Sequence, residues 1–192
     1  MDSQNFDKDI EEALKVLRNG GIILYPTDTV WGLGCDATNE KAVERIYKLK
    51  MRENSKSMII LLGDVGMIES FTAPLPNIAY ELLDSIVEPT TIIYDGAKNI
   101  AKNLIAEDNS IAIRITNEKY SQTLAKRFRK PLVSTSANLA GKDTPAIYKQ
   151  IDKNIIDAVD YVVQYRQNDN KSAKPSAIIK LTSQGRVKVI RT

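Results

Sequence analysis

An α/β or α+β fold built on one twisted, mixed sheet flanked by helices is what the sequence predicts, and three observations carry it. Strand-like and helix-like segments alternate along the chain. Their order is not a strict strand-helix-strand repeat, which implies both parallel and antiparallel pairing. The length of 192 residues, with 43% hydrophobic and 27% charged side chains, suits one domain (1–192) with a real core.

Each element has its own justification. Asp7 followed by Ile10, Ala13, Leu14 and Leu17 has the cap and spacing of an amphipathic helix, ended by Gly20-Gly21. Ile22 to Tyr25 is an apolar strand stopped by Pro26. Asn39 caps a second helix carrying Ala42, Val43, Ile46, Tyr47 and Leu49. Ser57 to Leu62 is the next strand, Gly63-Asp64 a turn, and Pro76 to Ile86 a helix with Ile78, Leu82 and Leu83 on one face. Thr90 to Tyr94 is β-branched and stops at Asp95-Gly96. Ser110 to Ile115 alternates as a strand, and Asn117 can cap a helix running to Phe128. Pro131-Leu132-Val133 leads into a polar loop, residues 134–138. A helix over 147–158 and strands near 161–163, 175–181 and 186–190 follow, the last two joined by a hairpin turn at Ser183-Gln184-Gly185.

Composition narrows the chemistry. The chain contains no histidine, which removes Ser-His and Cys-His nucleophile pairs and histidine-ligated zinc together. Lysine, arginine, hydroxyls and backbone N–H groups remain, the usual means of phosphoryl and nucleotidyl transfer. A single cysteine, Cys35, allows no internal disulfide, and the acidic N-terminus lacks the zones of a secretory signal. No apolar run nears the roughly 20 residues of a membrane helix. A cytoplasmic protein without membrane association is expected. Net charge is +3 but uneven: residues 41–58 carry six basic and two acidic side chains, and residues 119–130 five basic and none acidic. The second cluster reads either as a solvated helix face or as an RNA or phosphate surface.

Three segments can carry an anionic ligand. Tyr25 to Gly34 is a hydroxyl-rich loop in which Thr27-Asp28-Thr29 reads either as a turn or as part of an anion site. Gly32 and Gly34 would let the backbone approach a ligand, and Trp31 is either a core or rim aromatic or a stacking platform. Lys50, Arg52 and Lys56 stand at a helix-to-strand junction, where α/β folds line ligand crevices. Ser134, Thr135, Ser136 and Asn138 put four hydrogen-bonding side chains in five residues. No P-loop and no well-formed GxGxxG is present. The residues alone thus reach an anion-binding α/β protein.

Taken in order, GGIILYPTDTVWGLGCDA, KMR at 50–52, SIAIRI at 110–115, STSANLAG at 134–141 and PSAIIKL at 175–181 resemble the YrdC/YciO family over most of residues 10–191. The resemblance implies a YrdC-like (DHBP synthase-like) fold in its single-domain form. Members that make threonylcarbamoyl-adenylate use L-threonine, bicarbonate and ATP and release diphosphate; other proteins then use the product to modify an adenosine beside the anticodon of certain tRNAs. The family's KxR and SxN groups correspond to Lys50, Arg52, Ser136 and Asn138, implied to be catalytic. Thr29, Arg114, Ser134 and Ser176 would hold threonine. Arg52, Lys56, Ser110, Ser136, Thr144 and Arg191 would hold the nucleotide, with Mg2+ carried on the triphosphate and no protein-ligated metal. Expected partners are ATP, L-threonine and bicarbonate, tRNA or double-stranded RNA, and the tRNA-modification proteins that consume the adenylate. The family's usual KGRP reads Lys50-Met51-Arg52-Glu53 here, a common Asn-Pro reads Lys56-Ser57, and its Pro-Gly-Pro region is reduced to Val87-Glu88-Pro89. Two alternatives accompany this reading: a YciO-type paralogue with a different small substrate or adenylate hydrolysis, and a non-catalytic RNA-binding module.

Overall fold

The computed structural model describes residues 3–51 and 58–192. Along the chain run α1 (Ser3–Arg18), β1 (Ile23–Tyr25), β2 (Gly32–Gly34), α2 (Glu40–Leu49), β3 (Ile59–Leu62), α3 (Ile78–Ser85) and β4 (Thr90–Asp95). They are followed by β5 (Ser110–Ile115), α4 (Lys119–Phe128), β6 (Leu132–Ser136), α5 (Lys153–Ala158), β7 (Tyr161–Val162), β8 (Ala177–Leu181) and β9 (Val187–Arg191). The described strands join one nine-stranded sheet in the order β7-β1-β2-β6-β3-β5-β4-β8-β9. The pairs β1–β7, β3–β5 and β4–β8 are parallel and the rest antiparallel, the mixed sheet expected from the order of elements.

Register sorts the side chains of the sheet onto two faces, because successive residues of a strand alternate. Ile60 pairs with Ile113 and Val133, and Ile113 pairs with Ile92, so these share one face. Ile59, Arg114, Ser134 and Thr91 fall on the other. The core is continuous along the sheet and reaches α1, whose Ile10, Ala13 and Leu17 are buried. Phe6, Tyr120 and Tyr165 close one end, with ring centroids 5.2–5.6 Å apart. Asp9, buried in α1, ties that helix to the segment after β7: its carboxylate accepts from Tyr161 Oη at 2.6 Å, from Gln164 N at 3.0 Å and from Tyr165 N at 2.9 Å.

Several local expectations shift. The first helix starts at Ser3, so Asp7 lies inside it and pairs with Arg127 of α4 at 2.7 Å instead of capping. Glu118, not Asn117, caps α4, its carboxylate accepting from Ser121 N at 2.8 Å. In α3 the fully buried residue is Ala79; Leu82 and Leu83 are partly buried against the core as expected, while Ile78 is 43% exposed. The span 147–158 divides into a 3-10 turn at Tyr148–Gln150 and α5, which Asp152 caps. Asn39 caps α2 as expected, accepting from Lys41 N and Ala42 N.

Two larger differences bear on the site. Gly32–Gly34 is a strand, β2, held between β1 and β6, rather than loop. A side chain at Gly34 would begin 2.6 Å from Tyr25 Cε1, so glycine is required there for the fully buried Tyr25 ring and not for approach to a ligand. Ser134, Thr135 and Ser136 likewise belong to β6 rather than to a loop, and sheet alternation puts Ser134 and Ser136 on one face.

Candidate functional site

A crevice of about 250 Å³ opens on the Arg114 face of the sheet. It is built from the 29–32 segment, β3, β4, β5, β6 and the β8–β9 hairpin. Four of its polar lining residues, Thr29, Arg114, Ser134 and Ser176, are the four the resemblance assigns to threonine. Ser136, Thr144 and Arg191 line it too. Residues as far apart in sequence as Thr29 and Arg191 meet here because β2, β6, β3, β5, β4, β8 and β9 are laid side by side.

Each side chain is held by its surroundings. Arg114 is 4% exposed, with Nε 3.2 Å from Asp28 Oδ1 and Nη2 donating to Thr27 Oγ1 at 3.4 Å. The Arg114–Asp28 contact is ionic without hydrogen-bond geometry, since Nε and Oδ1 are both buried and neither makes a hydrogen bond among the described residues. Burial raises the Asp28 carboxyl above its ordinary value, and the Arg114 guanidinium opposes that rise. Thr27 Oγ1 donates to Val30 O at 2.8 Å, accepts from Thr29 N at 3.1 Å and lies 3.0 Å from Thr29 Oγ1. The 27–30 segment is therefore a hydroxyl-braced turn, and Thr29 of that turn lines the crevice. Ser176 Oγ lies 2.8 Å from Thr91 Oγ1, and Arg191 reaches back to donate to Ser176 O at 2.7 Å. Trp31 is buried against Tyr148, ring centroids 4.9 Å apart, and forms one edge of the crevice: a core residue at a rim.

Other candidates sit elsewhere. Lys50 is 2% exposed and does not line the crevice. Its Nζ donates to the carbonyls of Ser136 and, at 2.6 Å, Asn138, and its own carbonyl accepts from Ala140 N at 2.9 Å. It clamps the segment after β6 from beneath. Asn138 is also committed within that segment, its Oδ1 accepting from Ser136 Oγ and its Nδ2 donating to the carbonyls of Leu139 and Lys142. Ser110 stands at the opposite end of β5 from Arg114, about 13 Å away at the ordinary strand rise. Its hydroxyl donates to Asp108 at 2.5 Å, and Asp108 is held by Lys180, so the structure does not bring Ser110 to the crevice. Arg52 and Lys56 lie outside the described residues.

Thr91 and Asp28 were not singled out from sequence for these roles. Thr91 reads as one of several β-branched strand residues until the β4–β8 register sets it beside Ser176, and Asp28 reads as a turn residue until Arg114 arrives from β5. Within the basic stretch 119–130, Arg127 pairs with Asp7, Lys130 with Asp36 at 2.6 Å, and the Lys119 ammonium lies 4.9 Å from the Phe6 ring centre. Cys35 is buried, which holds its thiol well above the ordinary value and out of nucleophilic use. Among the described residues no cluster of three or more carboxylate or cysteine side chains could cage a metal ion, and no helix is long and apolar enough to cross a membrane.

The lining combines two guanidinium groups with hydroxyls and includes no carboxylate among the described residues. Fold and crevice together define a mixed-sheet α/β protein with a cationic, hydroxyl-lined crevice on one sheet face. The Sua5/YciO/YrdC family model, described as "Telomere recombination", matches residues 15–192, and the chain belongs to that family. It is 34% identical to the threonylcarbamoyl-AMP synthase of Pseudoalteromonas translucida over 172 residues, 88% of this chain and 91% of that protein. Among solved structures it is similar to E. coli YciO, with TM-score 0.82 and 25% identity over 95% of this chain and 87% of the other. It is also similar in fold to P. abyssi Sua5 complexed with L-threonine, with TM-score 0.80, 22% identity and 90% of this chain covered. The match spans 50% of that longer Sua5 chain.

Proposed function

We propose that this chain is a threonylcarbamoyl-AMP synthase, joining L-threonine, bicarbonate and ATP into threonylcarbamoyl-adenylate and diphosphate for tRNA modification in the cytoplasm. The observation that carries the reading is the crevice itself: Arg114, Arg191 and seven hydroxyl-bearing residues line it without a carboxylate among the described residues. Relatives of this family bearing that activity's name support it, as does the Sua5 fold relative obtained with L-threonine.

The chemistry needs gathering and alignment more than a base. The threonine amine attacks the bicarbonate carbon and water leaves, giving a carbamate; a carbamate oxygen then attacks the α-phosphorus and diphosphate departs. All three reactants bring negative charge, so fixed cations and hydroxyl donors lower the cost of their approach. Arg114 offers a rigid fork to the threonine carboxylate, with Thr29, Ser134 and Ser176 beside it. Ser136, Thr144 and Arg191 are given to the nucleotide, as the resemblance also gives Arg52 and Lys56. Lys50 and Asn138 act as positioning residues, holding the segment that presents Ser136. Magnesium enters as part of the ATP substrate and neutralises the triphosphate.

Incubation with ATP, bicarbonate and L-threonine should release diphosphate and form the adenylate. Diphosphate release that is independent of threonine, or faster with another amino acid, would overturn the assignment. The second outcome would instead favour the YciO-type reading, which the altered Lys50-Met51-Arg52-Glu53 segment supports. The ion pairs and ring contact that occupy Lys119, Arg127 and Lys130 give the RNA-binding reading less to stand on.

A further inference from the structure

The segment between β7 and β8 passes beside the 27–30 turn, and one side chain joins the two. Arg166 stands in that segment with a left-handed backbone, φ 65°, a conformation that side-chain-bearing residues adopt at a steric cost. Its guanidinium is fully engaged. Nε and Nη2 hold Asp169 at 3.0 and 2.9 Å, while Nη1 lies 3.7 Å from Glu118 and donates to Thr27 O at 3.2 Å. The segment has other anchors of its own. Val163 N donates to Leu24 O at 2.9 Å, Asp9 accepts from Gln164 N and Tyr165 N, and Gln167 Nε2 donates to Val163 O at 2.8 Å.

The bond to Thr27 O bears on the crevice. That oxygen belongs to the rigid peptide plane joining Thr27 to Asp28, so a donor on it sets the direction in which Asp28 leaves the chain. Asp28 in turn lies 3.2 Å from Arg114 Nε, and Thr27 Oγ1 accepts from Arg114 Nη2 at 3.4 Å. Arg166 and Arg114 therefore grip the same two residues, one by their shared backbone and the other by their side chains. Charge acts in the same sense. Burial raises the Asp28 carboxyl, Arg114 opposes that rise, and the Glu118 charge adds to it. Arg166 stands close enough to Glu118 to offset part of that last effect. Without Arg166 the peptide plane loses its donor, and Glu118 acts on Asp28 with less to oppose it.

We propose that Arg166 is a positioning residue for Arg114: through the Thr27–Asp28 peptide it fixes the guanidinium that meets the carboxylate of the amino-acid substrate. The identity of that substrate rests on the synthase reading; the coupling of the two arginines does not, and NMR of the full chain reads it without ligand. In isotope-labelled protein the Arg114 Nε–H signal is identified by its absence from Arg114→Lys. It should exchange with solvent severalfold faster in Arg166→Gly, which suits the left-handed backbone while removing the guanidinium. Arg166→Lys keeps the charge and should recover part of the protection. Calorimetric titration should show L-threonine bound about three- to tenfold more weakly by the glycine variant, the equivalent of one ordinary hydrogen bond, with ATP affinity within about twofold of the parent. The lysine variant should fall between. An Arg114 signal exchanging at the parent's rate in Arg166→Gly, or an unchanged threonine affinity there, would overturn the role of Arg166. So would equal losses for threonine and ATP that lysine does not recover, the mark of a general structural defect. A parent that binds no L-threonine would instead overturn the synthase reading, and the ligand-free Arg114 signal would then decide the coupling by itself.

Discussion

Replacing Lys50 by methionine separates a positioning role from a purely chemical one. The ammonium of Lys50 is buried and spans 86 and 88 residues of sequence to reach the carbonyls of Ser136 and Asn138. Methionine keeps the apolar stem and removes both bonds. Hydrogen bonds with a charged partner contribute about 1.5–3 kcal/mol each, so losing two at the lower value costs about 3 kcal/mol. For a chain of this length 1 kcal/mol moves the melting temperature by about 2–4 °C, which predicts a fall of roughly 6–12 °C. Thermal denaturation followed by circular dichroism measures it directly. Turnover should fall as well, because the strand end carrying Ser136 is no longer pinned. A variant that melts within about 2 °C of the parent yet has lost activity would refute the clamp and return Lys50 to direct contact with substrate.

Three further outcomes are expected. Arg114→Lys keeps a charge opposite Asp28 but loses the fork, and should raise KM for L-threonine about tenfold, a loss of about 1.4 kcal/mol, with a smaller change in kcat, read from steady-state diphosphate release. Met51 is 78% exposed and held at φ 51° just past α2, so Met51→Gly should relieve left-handed strain and stabilise by up to about 1 kcal/mol in urea unfolding. Hydrogen bonds from Lys180 and Ser110 hold the Asp108 carboxyl at about 2, below its ordinary 3.8. A depressed carboxyl adds stability above its unfolded value and loses it as pH falls, so this contribution should disappear between about pH 4 and pH 2. With Asp108 half exposed it is worth under about 1 kcal/mol, and Asp108→Asn should flatten the acid limb of the stability profile by that amount.

Met51 shows how a sequence departure becomes physical. Where the resemblance sets glycine between the lysine and arginine, this chain has a side chain, and the backbone still turns left-handed there. Local capping and the Lys50 clamp hold that turn: Met51 N donates to Lys48 O at 3.0 Å and Lys50 N to Ile46 O at 3.0 Å.

Periodicity and punctuation were enough to read α1, α2, α4, β5 and the β8–β9 hairpin, because each buries a stripe or alternates over several residues. The absence of histidine, the clustered hydroxyls and the cations likewise pointed to anion chemistry before any contact was known. What local signals could not reveal was β2, three residues of which two are glycine, whose strand state comes from neighbours on both sides and from the Tyr25 ring that requires Gly34. Nor could spacing separate Lys50, turned under the β6 segment, from Arg114, turned into the crevice: both are cations at strand or helix ends. That choice depends on sheet register, which assigns Arg114, Ser134, Thr91 and Ser176 to one face and Ile113, Ile92 and Tyr94 to the other. Residue type fixed the chemistry available to this protein, and long-range strand pairing decided which groups meet, because a face of a sheet is shared only after its strands are in register.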